Sequence, residues 1–333
     1  MGKLSSEELK KLIGCINSDG RVVVPPQVGF DAGVHRIGDK YVVVATDPCV
    51  GVPEEWFGFL LVNYAASDMA LFGAKPEFCT ITLMGPRTTQ PQTFQTVMKQ
   101  VCEAASDLGM AIVRGHTGTY SAITELVGVC TAYGTVEPEK LKTPANAKPK
   151  DLILCTKPIG QETAVNYALT HKAAAQKLFG KKQTEKLATL VQQQSCVKEA
   201  RQLAQLDGVH AMHDATEGGF TSAMNELAEA SKLGFRTEFE KLPILPEARI
   251  LKDAFGLSDK QMLAMSSTGT ILAAVDTKAK QAVEEMLAKN DLQAHFIGEF
   301  MKDKRRVLFK EGKETGFPEA AEDPYDLILS GKA

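Results

Sequence analysis

The chain alternates between short runs rich in β-branched residues and longer stretches with helical periodicity, and this alternation most constrains its fold. In the stretch "TFQTVMKQVCEAASDLG", for example, Phe94, Val97 and Val101 line one face, and Gly109 follows at the position of a C-terminal cap. We therefore expect an α/β (α+β) fold in which strands and helices form separate layers. The strand-like runs are "RVVVP", "KYVVVATD", "FCTITLMG", "AIVRGH", "ELVGVCTAYGTV", "DLILCTKP", "TGTILAAVD" and "RRVLF".

One stretch in the middle of the chain has neither pattern. Residues 136–151, "VEPEKLKTPANAKPKD", are rich in proline and lysine and lack periodicity, which is typical of a linker. With 333 residues, of which 44% are hydrophobic, the chain is long enough for two domains. We predict an N-terminal domain of residues 1–145 and a C-terminal domain of residues 146–333, the latter with a long helical region interrupted at Gly180.

Composition argues against several classes of function. The net charge is −3, so no basic field would attract nucleic acid or an anionic membrane. The seven cysteines are scattered without a CxxC pair, which argues against a zinc site. No run approaches the ~18 apolar residues of a membrane span, and the first residues are charged and amphipathic, unlike a signal peptide. We expect a cytoplasmic protein that binds neither nucleic acid nor membrane.

Several aspartates close, or lie near, an apolar strand-like run and precede a turn or helix. Carboxylates in such places suit magnesium, a hard cation that takes oxygen ligands and often retains substrate phosphates. Each aspartate could equally cap a helix or shape a turn, because Asp is favoured at both. The residues are Asp31 in "GFDAGV", Asp47 in "VVVATDPCVG", Asp68 in "YAASDMALFGAKP" and Asp214 in "HAMHDATEGG".

The segment "HDATEGGF" has the layout of an anion site. An apolar repeat with spacings of three, four and seven predicts a buried helix that begins at about Gly218; its members are Phe220, Ala223, Met224 and Leu227. The first amides of this helix, at Gly218 and Gly219, are predicted to be unpaired and open to phosphate oxygens. Thr216 is expected to cap the helix or to contact a phosphate. The lysine of a GxxxxGK[ST] loop is absent, so positive charge has to come from a metal or from elsewhere.

Histidines offer a second set of candidates. In "AIVRGHTGTY", His116 follows a strand-like run and could act as a base, a substrate contact or a metal ligand, or be structural. His210 and His213 are three residues apart in a strand-like segment, which sends them to opposite faces. A metal site built on that pair is therefore not expected.

Taken in order, six segments resemble one superfamily, that of aminoimidazole ribonucleotide synthetase (PurM) and the hydrogenase maturation protein HypE, with thiamine-phosphate kinase and selenophosphate synthetase. They are "GFDAGV", "ATDPCV", "SDMALFGAKP", "VRGHTG", "HDATEGGF" and "SSTGTILAAV", and they span roughly residues 29–300. "HDATEGG" looks closest to HypE-like, archaeal-type members. The resemblance implies a two-domain PurM-like fold, a homodimer whose N-terminal strands form a β-barrel across the interface, and a site for ATP and Mg between acids of both domains.

The resemblance also assigns roles to residues. It implies that three acids of the N-terminal domain, Asp31, Asp47 and Asp68, belong to the site of the metal and the phosphates. Asp214 would contribute to this site from the C-terminal domain. Ser267 and Gly269 would belong to a structural turn. The site predicted on this basis comprises Asp47, Asp214 and His116 as catalytic residues, and Asp31, Asp68, Thr117, Thr216, Gly218 and Gly219 as cofactor-binding residues. Its metal ligands are Asp31, Asp47, Asp68 and Asp214.

The chain departs from the family pattern in ways that bear on its activity. His116 stands where most members have an acid, and neutral imidazole is a poor magnesium ligand; Ser67 replaces a frequent asparagine. The chain ends "DLILSGKA", without the terminal cysteine of HypE, and lacks the glycine-rich cysteine or selenocysteine segment of selenophosphate synthetase. We expect an ATP- and Mg-dependent enzyme that phosphorylates an amide- or carboxylate-like oxygen of a small substrate. The alternatives are a small-molecule kinase like thiamine-phosphate kinase and a nucleotide-binding regulatory protein without turnover.

Overall fold

The computed structural model describes residue 4 and residues 6–331. In these residues the strands are β1 (Val22–Val24), β2 (Gly33–Ile37), β3 (Lys40–Cys49), β4 (Phe78–Gly85), β5 (Ala111–Thr119), β6 (Val127–Val136), β7 (Leu152–Cys155), β8 (Val209–Asp214), β9 (Gly234–Glu238), β10 (Ile271–Val275), β11 (His295–Met301), β12 (Arg306–Lys310) and β13 (Lys313–Gly316). The α-helices are α1 (Ser6–Ile13), α2 (Phe57–Leu71), α3 (Pro91–Leu108), α4 (Gln161–Thr170), α5 (Lys172–Phe179), α6 (Lys181–Thr189), α7 (Val197–Ala204), α8 (Gly219–Ser231), α9 (Pro246–Ala254), α10 (Asp259–Leu263), α11 (Lys280–Ala288) and α12 (Tyr325–Leu329).

These elements form two compact units. The N-terminal unit comprises residues 18–25 and 31–141. The C-terminal unit comprises residues 142–331, together with residues 26–30 and the described residues before 18. Each unit contains one mixed sheet with helices, which confirms the predicted α/β (α+β) class with two domains.

The N-terminal unit is built on a six-stranded sheet in the order β1-β2-β3-β6-β4-β5. Its pairs are antiparallel except β4 with β5, which run parallel. Helix α2 packs on β3 and β6, and α3 packs on α2. β1 and β5 are the two edges of this sheet in the single chain, so a barrel shared by two chains stays a prediction.

The C-terminal unit is built on a seven-stranded sheet in the order β13-β12-β9-β11-β7-β10-β8. Every residue of β10 is buried, and this strand is paired on both sides, with β7 and with the edge strand β8. β8 is antiparallel to β10, with Asp214 opposite Ile271. The chain therefore leaves the sheet at Asp214, directly before the glycine turn that precedes α8.

Most local predictions are confirmed. Every run predicted as a strand contains one, Gly109 ends α3 with φ 67°, and Gly180 separates α5 from α6. The sequence did not reveal β2, β9, β11 and β13, which contain few β-branched residues. Among the described residues, we find no helix whose length and apolar character would let it cross a membrane.

One prediction about the acids is wrong. Asp68 does not lie near the end of a strand but within helix α2, three residues before its last residue. Almost all residues of α2 are buried, including Ser67 and Met69 on either side of Asp68. A helix buried all round has no polar face, so its sequence lacks the periodicity that distinguishes a helix from a buried strand.

The Gly269 turn offers a test of the C-terminal unit. Gly269 has φ +87°, and a Cβ there would lie 2.1 Å from the carbonyl oxygen of Gln193. Gly312 has a similar φ of +77°, but nothing lies within 4 Å of its Cβ position. We predict that Gly312→Ala lowers the free energy of unfolding by about 1–2 kcal/mol through the backbone alone. Gly269→Ala is expected to lower it by about 3 kcal/mol or more, because the steric clash is added.

Urea denaturation followed by circular dichroism measures both variants. Equal losses for the two alanines would contradict the packing of Gly269 against Gln193.

Candidate functional site

The predicted acids of the N-terminal unit lie on different kinds of element. Asp47 is a half-buried residue inside β3, opposite Cys130 of β6. Side chains alternate along a strand, so Asp47 shares its face with the buried residues Val43, Ala45 and Cys49. Helix α2, which carries Asp68, packs on this same strand. The structure thus places the two acids on elements that pack against each other within one unit.

Asp31 lies at the same end of this sheet as Asp47. β2 and β3 pair antiparallel, with Gly33 opposite Val44. If this register is continued by two residues, Asp31 falls beside Thr46, the residue next to Asp47. The antiparallel pairing thus places the start of β2, two residues after Asp31, beside the half of β3 that contains Asp47, and a shared site of these acids stays a prediction.

His116 and Thr117 lie elsewhere in the unit. Both are exposed on the edge strand β5, and His116 Nε2 is 2.6 Å from the hydroxyl oxygen of Tyr120. β5 is three strands from β3 in the sheet order, which corresponds to about 14 Å at the usual strand spacing. Within one chain, His116 is therefore separated from Asp47 by two intervening strands.

In the C-terminal unit, Asp214 is the last residue of β8 and its side chain is 2% exposed. The chain after it is fixed by backbone hydrogen bonds. The Ala215 N–H donates to the Thr270 carbonyl at 2.9 Å, and the Ser267 N–H donates to the Ala215 carbonyl at 2.8 Å. These bonds connect the exit of β8 to the loop before β10, so the position of Asp214 depends on the SSTGT segment.

The turn at Gly218 and Gly219 differs from the prediction in its hydrogen bonding. Helix α8 begins at Gly219 with Gly218 as its N-cap, close to the predicted start at about Gly218. Its N–H donates to Oδ2 of Asp323 at 3.0 Å, and the Gly219 N–H donates to the Thr216 carbonyl at 2.8 Å. The expectation that these two amides are unpaired is therefore wrong. The Thr216 side chain does not cap the helix either; its carbonyl oxygen closes the turn.

Packing within the unit explains the two glycines. Both have positive φ, 77° for Gly218 and 54° for Gly219. A Cβ on Gly218 would lie 2.1 Å from Ser222 Oγ, and one on Gly219 would lie 2.4 Å from the Met265 carbonyl oxygen. Atoms of the protein thus occupy the space that a side chain at either glycine would need. A role of these glycines in phosphate binding stays a prediction, and it requires a phosphate to replace Asp323 at the Gly218 amide.

His213, next to Asp214, is held between two oxygen atoms. Its Nδ1 is 2.9 Å from the Asp214 carbonyl oxygen and its Nε2 is 2.9 Å from Oε2 of Glu226. A carbonyl oxygen only accepts hydrogen bonds, so Nδ1 carries a hydrogen and donates it. A second hydrogen must then lie between Nε2 and the Glu226 carboxyl. This pair ties β8 to α8 beside Asp214.

Asp323 is a residue of this region that the sequence did not reveal. Its carboxylate accepts hydrogen bonds from the Ser266 hydroxyl at 2.6 Å, the Gly218 N–H at 3.0 Å and the Tyr325 N–H at 2.9 Å. Burial raises the pKa of the Asp323 carboxyl, and these hydrogen bonds act in the opposite direction. The only local signal was an aspartate shortly before a helix, in "EDPYDLI", and nothing in it pointed to a partner at Gly218.

The donor set is suitable for magnesium. Asp31, Asp47, Asp68 and Asp214 all present hard carboxylate oxygens, which this ion prefers. The amides of the glycine turn, by contrast, already have acceptors in this structure. By ligand chemistry each of these acids suits the implied metal, and their joint binding of one ion stays a prediction.

Comparisons with known proteins agree with this architecture. The model of the AIR synthase related protein, N-terminal domain, matches residues 29–136, and that of the C-terminal domain matches residues 148–311. A putative hydrogenase expression/formation protein of Methanocaldococcus jannaschii is 25% identical over 286 residues, which cover 84% of this chain and 82% of the relative. A selenide, water dikinase of Paraburkholderia xenovorans is 28% identical over 307 residues, which cover 83% of each chain.

The fold has a close counterpart among solved structures. The crystal structure of the hydrogenase maturation protein HypE in complex with ATP aligns with a TM-score of 0.72 over 97% of both chains, at 17% identity. The fold is therefore the two-domain PurM-like fold. The chain belongs to the AIR synthase related family, as the resemblance seen in the sequence predicted.

The hydrogen bonds of Asp323 generate a prediction. We predict that Asp323→Ala lowers the free energy of unfolding by about 1–3 kcal/mol, because three donors lose their acceptor. Asp323→Asn keeps one carbonyl oxygen and loses the buried charge, so its effect is expected to be smaller. The exposed neighbour Glu322 provides the control, since Glu322→Ala removes an acid from the same segment.

Urea denaturation measures all three variants. A loss for Asp323→Ala no larger than that for Glu322→Ala would contradict the importance of this contact.

Proposed function

We propose that the protein is an ATP-using enzyme of the PurM/HypE type that phosphorylates an amide- or carboxylate-like oxygen of a small substrate. The observation that carries the proposal is the place of Asp214: a buried carboxylate at the C-terminal end of β8, directly before the glycine turn, in a chain of this family. The relatives support the use of ATP, because one solved structure of this fold is a complex with ATP and one relative is named a dikinase.

The acids would bind magnesium with the nucleotide. Asp31, Asp47 and Asp68 would supply oxygen ligands from the N-terminal unit, and Asp214 from the C-terminal unit. When bound, magnesium neutralises charge on the phosphoryl group that is transferred, which removes the need for a lysine-bearing loop. The hydrogen bonds at Ala215 hold the end of β8, so Asp214 would keep its position during the reaction.

His116 would face the substrate rather than the metal. Its imidazole is exposed and hydrogen-bonded to Tyr120, and it lies on an edge strand remote from Asp47 within the chain. An imidazole is also a weaker ligand for magnesium than a carboxylate. Thr117, the next residue on β5, would lie on the opposite face of the strand, so its predicted contact with the nucleotide is separate from the role of His116.

A second candidate function is that of a small-molecule kinase. The selenide, water dikinase relative favours it, because the name denotes an enzyme that transfers phosphate. Phosphorus NMR of reactions with ATP, magnesium and a panel of amides, carboxylates and phosphomonoesters separates the two activities. A kinase forms a new phosphoryl compound that persists, whereas dehydration or cyclisation chemistry releases free phosphate. Nucleotide binding without either product would favour the regulatory alternative.

Substitution of the acids tests the proposed site. We predict that Asp47→Asn and Asp214→Asn each reduce magnesium-dependent ATP consumption at least a hundredfold, because loss of a carboxylate removes charge that the metal requires. Circular dichroism is expected to show an intact fold. Asp39→Asn and Asp253→Asn, which change exposed aspartates in the N-terminal and C-terminal units, are the matched controls and should keep full activity.

The test uses phosphate release or phosphorus NMR with purified protein. Full activity in both Asp47→Asn and Asp214→Asn would contradict the assigned site.

A further inference from the structure

Three side chains near the start of β7 and β8 form a hydrogen-bonded chain that the proposed function does not use. Lys148 Nζ is 3.0 Å from Nε2 of His210, and His210 Nδ1 is 2.9 Å from Oδ2 of Asp151 and 3.0 Å from its Oδ1. The Asp151 and His210 side chains are only 4% and 12% exposed, whereas Lys148 is an exposed residue. An exposed amine is thus hydrogen-bonded to a nearly buried pair of side chains, His210 and Asp151.

The hydrogen-bond pattern determines the tautomer of His210. A carboxylate accepts hydrogen bonds, so the hydrogen of the imidazole lies on Nδ1 and points to Asp151. Nε2 then carries the lone pair and accepts from Lys148 Nζ. The imidazole therefore presents its basic nitrogen to the amine, and Asp151 fixes its orientation.

The backbone holds the amine and the acid together. The Lys148 N–H donates to Oδ2 of Asp151 at 2.8 Å, and the Asp151 N–H donates to the Lys148 carbonyl at 3.1 Å. The Phe300 N–H donates to the Asp151 carbonyl at 2.8 Å, which attaches this turn to β11. The Asp151 carboxylate therefore holds the backbone of Lys148 and also orients the imidazole of His210.

The arrangement has the parts of an activated nucleophile: a nucleophilic atom, a base within hydrogen-bond reach and a third group that orients the base. We propose that Lys148 is an acyl-acceptor site that takes acyl groups from acyl phosphates. This inference is independent of the proposed use of ATP. His210 is four residues from Asp214 along β8, about 13 Å at the usual rise of a strand.

The proposed reaction is balanced with these groups. His210 Nε2 takes one proton from the Lys148 ammonium, and the imidazolium is stabilised by Asp151. The freed lone pair of Nζ forms a bond with the acyl carbon, and the bond between that carbon and the phosphate oxygen breaks with its electron pair. The phosphate leaves with a second proton from Nζ, and His210 returns its proton to solvent. The product is an amide on Lys148 and free phosphate.

Acetyl phosphate provides the probe, and Lys150 provides an internal control. Lys150 is also exposed, lies two residues away and has no histidine partner in the described residues. Cleavage after Glu139 and Glu162 releases one peptide that contains both lysines and whose ends do not depend on lysine acetylation. Mass-spectrometric fragmentation of this peptide gives the acetylation rate of each lysine in the same protein molecules.

We predict that Lys148 is acetylated at least ten times faster than Lys150 in the unmodified protein, since general base catalysis typically contributes about 10²–10⁴-fold. His210→Gln keeps a polar side chain but removes the base, so the rate at Lys148 should fall to that of Lys150, with no change at Lys150 itself. His171→Gln changes another histidine of the same unit, which contacts the Leu329 carbonyl, and should leave the ratio unchanged.

Two results would overturn the proposal. One is an equal rate at Lys148 and Lys150 in the unmodified protein, a measurement that needs no variant. The other is a ratio that His210→Gln leaves unchanged. Because the reaction contains no ATP, either result leaves the proposed ATP-dependent function intact.

Discussion

The hydrogen bonds of the loop between α10 and β10 hold the C-terminal unit together at the end of its sheet. Ser267 donates its N–H to Ala215 and accepts the Gly160 N–H through its hydroxyl at 2.7 Å. Its neighbour Ser266 accepts the Thr163 N–H through its carbonyl at 3.2 Å. One short loop thereby connects the segments that follow β7 and β8. A buried loop needs such bonds, because unpaired backbone groups away from water cost free energy.

The same loop sets the surroundings of the proposed site. Ser266 donates its hydroxyl hydrogen to Asp323, and Asp323 accepts the N–H of Gly218. The end of β8, the glycine turn and the segment before α12 therefore form one hydrogen-bonded group around Asp214. A ligand phosphate at the turn would compete with a carboxylate of the protein. For this reason the proposed function relies on magnesium held by acids rather than on free amides.

Patterns in the sequence predicted the fold class, the strands rich in β-branched residues, and the start of α8. They did not reveal that Asp68 is helical, because a helix buried on all sides has no periodic polar face. Nor could they show that Asp323 binds Gly218, 105 residues earlier in the chain, since contacts of this kind depend on tertiary packing. His210 and His213 have different partners, Asp151 and Glu226, and these became visible only in the structure.

The central claim, that acids of this chain bind nucleotide through magnesium, is tested most directly by calorimetric titration of the full chain with a non-hydrolysable ATP analogue. The account predicts binding in the presence of magnesium and at least tenfold weaker binding when EDTA removes the metal. Equal affinity with and without magnesium, or no binding under either condition, would contradict it.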